Sequence, residues 1–182
     1  MRNKWIIAAV AVLAVSGGGF AFVSAQDEAA QAATVQADHQ QPIAFPHNTH
    51  AGTYQIDCQY CHFSADRSVD AGIPPTSTCL GCHTAVRGST ETAQAEIQKI
   101  HDYAADGESI PWVRIHKVAD HVRFPHMRHV NAGLTCQTCH GAVENKGVWV
   151  EPDAAWGNGK MGWCISCHVE NEVSRDCTVC HY

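Results

Sequence analysis

Basic residues are few in this sequence, and nowhere do they form a stripe. The 182 residues include 12 lysines and arginines against 18 aspartates and glutamates, which gives a formal net charge of -6 at pH 7. Nucleic acid is bound by clustered cations, and this chain has no such cluster. No group of residues suggests an acid/base pair or an activated nucleophile either. The sequence therefore excludes a nucleic-acid partner and offers no catalytic constellation.

Aliphatic residues are also scarce beyond position 25. No stretch there carries enough of them for an ordinary hydrophobic core, and glycine, proline and short turns dominate. A chain of this length normally forms one domain or two small lobes around such a core. The core must therefore include something other than side chains, and we expect a compact, mostly irregular fold with small α-helices.

Cysteine is abundant, and no cysteine is left over from one repeated motif. The ten cysteines form five Cys-x-x-Cys-His motifs, at 58–62, 79–83, 136–140, 164–168 and 177–181. This spacing is the attachment signal for c-type haem. The two thiols add to the haem vinyl groups, and the adjacent histidine ligates the iron. Disulfides do not explain the spacing, and five zinc sites would need fourth ligands that are not evident.

We therefore expect five covalently bound haem c groups, each surrounded by roughly 31 residues, so that the haems themselves form the core. The motifs assign the covalent attachment to Cys58, Cys61, Cys79, Cys82, Cys136, Cys139, Cys164, Cys167, Cys177 and Cys180. They assign the proximal iron ligands to His62, His83, His140, His168 and His181.

A second set of histidines can supply the other side of each iron. Thirteen histidines minus the five proximal ones leave eight, and four of these form two Phe-Pro-His-x-x-His boxes. Each box precedes a haem motif, so that residues 45–62 and 124–140 form an internal repeat. An iron with two protein ligands is closed and passes electrons, whereas an iron with one is open to substrate. We predict that the two histidines of one box can serve neighbouring haems. The four predicted distal ligands are His47, His50, His126 and His129.

The fifth haem needs a distal ligand from elsewhere, and two residues are alternatives. Met161 lies just before a haem motif, a poor place for a methionine that only fills a core. His116 is the other candidate. We expect Met161, and a His/Met pair would raise that haem's potential above those of its bis-His neighbours. His39, His101 and His121 are assigned to no iron.

The N-terminal part of the chain indicates export. Arg2 and Lys4 precede an uncharged run that ends at residue 25, and haem is attached to such motifs outside the bacterial cytoplasmic membrane. Residues 1–25 fit a signal peptide with a small-residue cleavage site, and they are also long enough to cross a bilayer once as a helix. Residues 26–41, rich in alanine and glutamine, are typical of a tether.

The remaining sequence divides into two predicted haem lobes. Residues 42–88 form the first lobe with two haems, and residues 110–182 form the second with three. Residues 89–109 predict a connecting helix that begins at the cap residue Ser89 and ends near Gly107. Its apolar face would consist of Ala93, Ile97, Ile100 and Ala104.

The order of these motifs resembles a known family. The paired boxes are similar to those of small multihaem cytochromes of the c3/c7 kind. The complete order over residues 43–182 resembles the pentahaem cytochrome c subunit of alternative complex III, a membrane quinol:acceptor oxidoreductase. Against the pattern of that family, His121 is an additional histidine.

This resemblance implies a subunit anchored by an uncleaved N-terminal helix, with its haem domain on the periplasmic or outer face of the bacterial cytoplasmic membrane. It would receive electrons from an iron-sulfur, quinol-oxidising part of the complex and relay them to a monohaem cytochrome or a soluble carrier. It would have no substrate site of its own.

Two other functions stay open at this point. A small membrane-anchored multihaem quinol dehydrogenase would oxidise quinol itself, and a free periplasmic shuttle would have a cleaved signal. A pentahaem nitrite reductase fits less well, since all five motifs end in histidine and none has a lysine ligand.

Overall fold

The computed structural model describes residues 41–153 and 159–182, as short helices joined by turns. A turn of π-helix covers Asn48–Thr53, and a turn of 3-10 helix covers Val143–Asn145. An antiparallel bridge joins Pro46 to Val148. The prediction of a mostly irregular fold with small helices is confirmed. The α-helices are α1 (Cys58–Cys61), α2 (Thr76–His83), α3 (Glu91–Ala105), α4 (His126–Asn131), α5 (Cys136–His140), α6 (Met161–Glu170) and α7 (Cys177–Cys180).

The predicted connecting helix is α3, the longest helix in the described ranges. Its first residue is preceded by Thr90, whose hydroxyl accepts a hydrogen bond from the Ala93 backbone N–H at 3.1 Å. The prediction that Ser89 caps this helix was wrong. Thr90 has the extended backbone that a cap residue requires, with φ -124° and ψ 156°.

The end of α3 lies close to the predicted position. Gly107 has a φ of +69°, which an L side chain rarely adopts. Its N–H donates to the Ala104 carbonyl at 3.3 Å, and the Glu108 N–H donates to the Tyr103 carbonyl at 2.9 Å. These two bonds form a Schellman motif, which satisfies carbonyls that the helix would otherwise leave without partners.

The apolar core is small and lies beside α3. Ile43, Ile100 and Ile110 are buried together, although they come from distant parts of the chain. Partly buried residues pack against them from the second haem motif, from α3 and from the segment after it. These residues are Cys79, Leu80, Tyr103 and Trp112.

An ion pair fixes the start of the described chain onto the same helix. The Glu96 carboxylate accepts a hydrogen bond from the Ala44 N–H at 2.8 Å and binds the Lys99 ammonium at 2.7 Å. Lys99 also donates to the Pro42 carbonyl at 3.3 Å. Residues 42–44 are thereby held next to the isoleucine cluster.

Within these two ranges, no helix is long and apolar enough to cross a membrane. The predicted anchor or signal segment, 1–25, lies outside the described residues. So does the predicted tether, 26–41, except for its last residue.

Candidate haem-binding sites

Every Cys-x-x-Cys-His motif lies on a helical turn. With 3.6 residues per turn, two cysteines three positions apart lie on the same face. Asp57 caps α1 by accepting a bond from the Gln59 N–H at 2.7 Å, and Asp176 caps α7 by accepting one from the Thr178 N–H at 2.8 Å. All ten cysteines are free of disulfide bonds. Each motif therefore presents two thiols on one side, as haem attachment requires.

The motif histidines are oriented by hydrogen bonds from Nδ1. An imidazole that donates from Nδ1 to a carbonyl carries its proton there and presents the Nε2 lone pair to a metal. Four of the five motif histidines have this arrangement. The pairs are His62 with the Gly72 carbonyl at 2.7 Å, His83 with Val86 at 2.9 Å, His168 with Ser174 at 2.6 Å and His181 with His121 at 2.9 Å.

The two Phe-Pro-His-x-x-His boxes share the contacts of their second histidine, although the first box continues as a turn of π-helix and the second as α4. In each box the second histidine places Nδ1 against the proline carbonyl, at 2.9 Å for His50 and 3.0 Å for His129. In each box the phenylalanine ring stacks on that histidine at 25°, with ring centres 4.3 Å apart for Phe45 and 4.2 Å apart for Phe124. The repeat seen in the sequence is therefore also a repeat in geometry.

Three box histidines lie at nearly the same ring-centre distance from a motif histidine. A metal bound by two imidazole nitrogens at about 2 Å from each places the ring centres about 6 Å apart. The three observed distances match this value, and the angles between the ring planes differ. The pairs are His50 with His83 (6.1 Å, 65°), His126 with His140 (6.4 Å, 4°) and His129 with His168 (6.3 Å, 45°).

His47, the remaining box histidine, lies near the first haem motif. Burial, then the nearby His62 and His50, lower the pKa of His47 to about 4. The imidazole is therefore neutral, which is the form that ligates metals. Its buried Nδ1 has no hydrogen-bond partner in the described structure. Its counterpart in the second box, His126, instead places Nδ1 2.8 Å from the Val69 carbonyl.

His116 lies behind a motif histidine. Its Nε2 is 3.4 Å from Nδ1 of His140, and the two ring centres are 4.6 Å apart. The two nitrogens of an imidazole point in different directions, so His116 lies away from the Nε2 side of His140. Burial, then His126, lower the pKa of His116 to about 4, with Asp153 acting in the opposite direction.

His121 contacts the fifth motif, which the sequence did not predict. Its carbonyl accepts the bond from His181 Nδ1, and its ring lies 5.4 Å from the His181 ring at 18°. The two residues are 60 positions apart, and no local pattern relates them. His101, also assigned to no iron, places Nε2 3.0 Å from the His83 carbonyl.

Met161 is the first residue of α6, three positions before Cys164. It is 64% exposed. The helix thus places this thioether on the same turn that presents the fourth haem motif.

The donor groups fit haem. Among the described residues, no three or more histidines, cysteines or carboxylates come together to hold a metal ion directly. Three pairs of imidazoles instead lie about 6 Å apart, and one member of each pair belongs to a Cys-x-x-Cys-His motif. A c-type haem needs one or two axial ligands to its iron and two thioether bonds to its porphyrin, which these groups can supply.

Comparisons with known proteins point the same way. Residues 122–182 match the family described as cytochrome c7 and related cytochrome c. The chain is also 29% identical to a protein of Nitratidesulfovibrio vulgaris named menaquinone reductase, multiheme cytochrome c subunit, in an alignment covering 78% of this chain and 77% of the relative. The prediction of c-type haem is confirmed at this level, whereas the number of haems and the narrower resemblance to alternative complex III stay predictions. The chain is thus similar to multihaem cytochromes c, with a cytochrome c7-like region at residues 122–182.

Proposed function

We propose that this protein is the electron-transfer subunit of a membrane quinol:acceptor oxidoreductase and carries five c-type haems. The spacing of the imidazole pairs is the observation that carries the proposal, since three pairs lie 6.1 to 6.4 Å apart. Bound haem iron supplies one-electron redox chemistry. Two protein ligands on an iron leave no position for substrate, so these residues favour electron transfer over catalysis.

The pairs also suggest which ligand serves which motif. His47 would face His62, His50 would face His83, His126 would face His140, and His129 would face His168. The position of His116 behind His140 favours Met161 as the distal ligand of the fifth haem.

Near-infrared spectra of the oxidised protein test this last assignment, because a thioether ligand to ferric haem has its own absorption band. Met161→Leu should abolish the band, and His116→Ala should retain it. Loss of the band in His116→Ala alone, or absence of the band from the natural protein, would overturn the assignment of Met161.

The assembly is proposed from the resemblance and from the relative's name. That relative is named as a subunit of a reductase, which supports a complex with other subunits here. We propose an alternative complex III-like complex in which an iron-sulfur, quinol-oxidising part delivers the electrons and a monohaem cytochrome or soluble carrier receives them. Residues 1–25 would anchor the chain in the bacterial cytoplasmic membrane, with the haems on its outer face.

Extraction in mild detergent, followed by native electrophoresis with haem staining, tests the assembly. The haem stain should migrate in a complex much larger than the 19.7 kDa chain. A single band near the mass of the chain, obtained without detergent, would instead support a free shuttle. The intact mass should show five haems, and a double variant Cys177→Ala, Cys180→Ala should show four.

A quinol dehydrogenase is the second candidate. The relative is named as part of a menaquinone reductase, which acts on the same kind of redox couple in the opposite direction. An enzyme of that kind would have an iron open to exogenous ligands. We expect the reduced natural protein to bind no carbon monoxide and the isolated chain not to oxidise quinol. Carbon monoxide binding at one haem together with quinol oxidation would favour the dehydrogenase.

A further inference from the structure

The backbone holds each histidine box against the other repeat. In the first box, the His47 N–H donates to the Gly147 carbonyl at 3.3 Å, and the Asn48 N–H donates to the Lys146 carbonyl at 2.6 Å. Residues 146 and 147 follow the third haem motif. The first box therefore rests on the second repeat.

The second box makes the corresponding bonds to the first repeat. The His126 N–H donates to the Val69 carbonyl at 2.9 Å, and the Met127 N–H donates to the Ser68 carbonyl at 3.0 Å. Ser68 and Val69 follow His62 by six and seven residues, just as residues 146 and 147 follow His140. The two sets of bonds are equivalent, so each box contacts the other repeat in the same way.

A second pair of contacts also joins corresponding positions of the two repeats. The Asn131 side chain donates to the Asp66 carbonyl at 2.9 Å. At the corresponding place in the other repeat, Gly52 lies so close to the Glu144 carbonyl that a Cβ atom would collide with it. Reciprocal contacts between equivalent surfaces are the property of a twofold axis. The repeats are thus related by an internal pseudo-twofold axis.

Equivalent residues meet where such an axis passes. The thiols of Cys58 and Cys136, the first cysteines of the two equivalent motifs, lie near each other. Burial, then the nearby Cys136, raises the pKa of Cys58 to about 11. His62 also lies near enough to His140 to contribute to its lowered pKa, after burial, His116 and His126. The first and third motifs therefore adjoin at the axis.

The second and fourth motifs lie on the outer sides of this central pair. Burial raises the pKa of Cys61, and so do the nearby thiols of Cys79 and Cys82. On the other side, burial raises the pKa of Cys139, and so do the nearby thiols of Cys167 and Cys164. The boxes agree with this order, since His47 lies near the first motif while His50 faces the second, and His126 and His129 face the third and fourth.

The fifth motif continues the line beyond the fourth. Cys180 lies close enough to Cys164 to contribute, after burial, to the raised pKa of that thiol. The Arg123 N–H donates to the Cys180 carbonyl at 2.7 Å. This bond fixes the C-terminal motif next to the second box.

We infer that the haem sites form one unbranched line in the order second, first, third, fourth and fifth motif, with a pseudo-twofold axis between the first and the third. The inference rests on the proposed five-haem function. The order in space differs from the order in the chain. The ends of the line are the sites at 79–83 and 177–181, where redox partners would exchange electrons, and every electron that crosses the protein passes the junction of Cys58 with Cys136.

Proton NMR of the fully reduced, diamagnetic holoprotein tests this order. Nuclear Overhauser effects should join haem substituents of the second and first motifs, the first and third, the third and fourth, and the fourth and fifth. His47→Met and His50→Met serve as matched variants for assignment, because a methionine ligand gives distinctive upfield signals that mark one haem. An effect between the second and third haems, with none between the first and third, would overturn the order.

Iron positions in crystals of the natural protein provide a measurement that needs no variant. Anomalous scattering should show five irons in an unbranched line, four of them related in pairs by an approximate twofold axis. Any branched arrangement, or a central pair other than the first and third haems, would overturn the inference. Fewer than five irons per chain would instead contradict the proposed function, so the two failures are distinguishable.

Discussion

Replacing His126 by alanine should convert one haem of the proposed five from low spin to high spin. His126 faces His140 with ring centres 6.4 Å apart, the spacing of two imidazoles on one metal. Alanine cannot reach the iron, so His140 would be left as its only protein ligand. Electron paramagnetic resonance of the oxidised protein should then show about one fifth of the haem iron as high spin.

The angle between the imidazole planes determines which low-spin signal disappears. Near-parallel planes give a rhombic low-spin spectrum, and strongly crossed planes give a more anisotropic signal at lower field. The His126–His140 planes differ by 4°, whereas the His50–His83 planes differ by 65°. His126→Ala should therefore remove a rhombic signal, and His50→Ala should remove the anisotropic one.

His101→Ala is the matched control for these variants. His101 is a histidine close to a haem motif, but its Nε2 is bonded to the His83 carbonyl rather than opposed to a motif imidazole. This variant should keep every haem low spin. The reasoning is refuted if His126→Ala leaves all haems low spin, or if it removes the anisotropic signal and retains the rhombic one.

Three further predictions concern helix capping, pH dependence and ligand tuning. Thr90→Ala should lower the free energy of unfolding by about 1 kcal/mol in thermal denaturation, whereas Ser89→Ala should not; equal effects would contradict the assignment of Thr90 as cap. The pKa of Glu96 is below its ordinary value of 4.5, because the bonds from Lys99 and Ala44 outweigh burial, which acts upward. The carboxylate therefore stabilises the fold above pH 4.5 and loses this effect as the pH falls through its lowered pKa. Glu96→Gln should thus lower the melting temperature at pH 7 and converge with the natural protein in acid; a constant difference would contradict this. His116→Ala should raise the potential of the haem ligated by His140, because a hydrogen-bond acceptor on Nδ1 makes an imidazole a stronger donor to iron; a redox titration that follows the rhombic signal and finds no shift would contradict it.

Local patterns in the sequence predicted much of the fold and the candidate site. The apolar spacing of Ile97 and Ile100 gave the connecting helix, because helix periodicity depends on near neighbours. The choice between Ser89 and Thr90 as cap could not be made from sequence, since both have a hydroxyl and only the backbone conformation distinguishes them. The duplicated boxes indicated a repeated structural unit, and both copies place the phenylalanine and the proline carbonyl against the second histidine.

Contacts between distant residues could not be predicted in this way. His116 meets His140 across 24 positions, and the His121 carbonyl meets His181 across 60. Neither pair belongs to a repeated spacing, so composition and motif order predict neither contact. The reciprocal bonds between the repeats could not be predicted from the sequence for the same reason. The sequence shows that the repeats are equivalent, but only the fold shows that each box rests on the other repeat.

The reciprocal bonding of the boxes explains how so small an apolar core can keep redox groups in fixed positions. Under the proposed ligation, each iron joins two chain segments, such as His50 with His83 or His129 with His168. Each such link closes a loop of the chain, and the bonds to the iron must outweigh the conformational entropy that the loop loses. The box that supplies one ligand is also bonded to the backbone that follows a motif of the other repeat. A haem site in one repeat therefore cannot shift without displacing a box of the other. Fixed distances between neighbouring sites are what an electron-transfer chain requires. Here they would follow from ligation within each repeat and hydrogen bonds between the repeats, more than from burial of side chains.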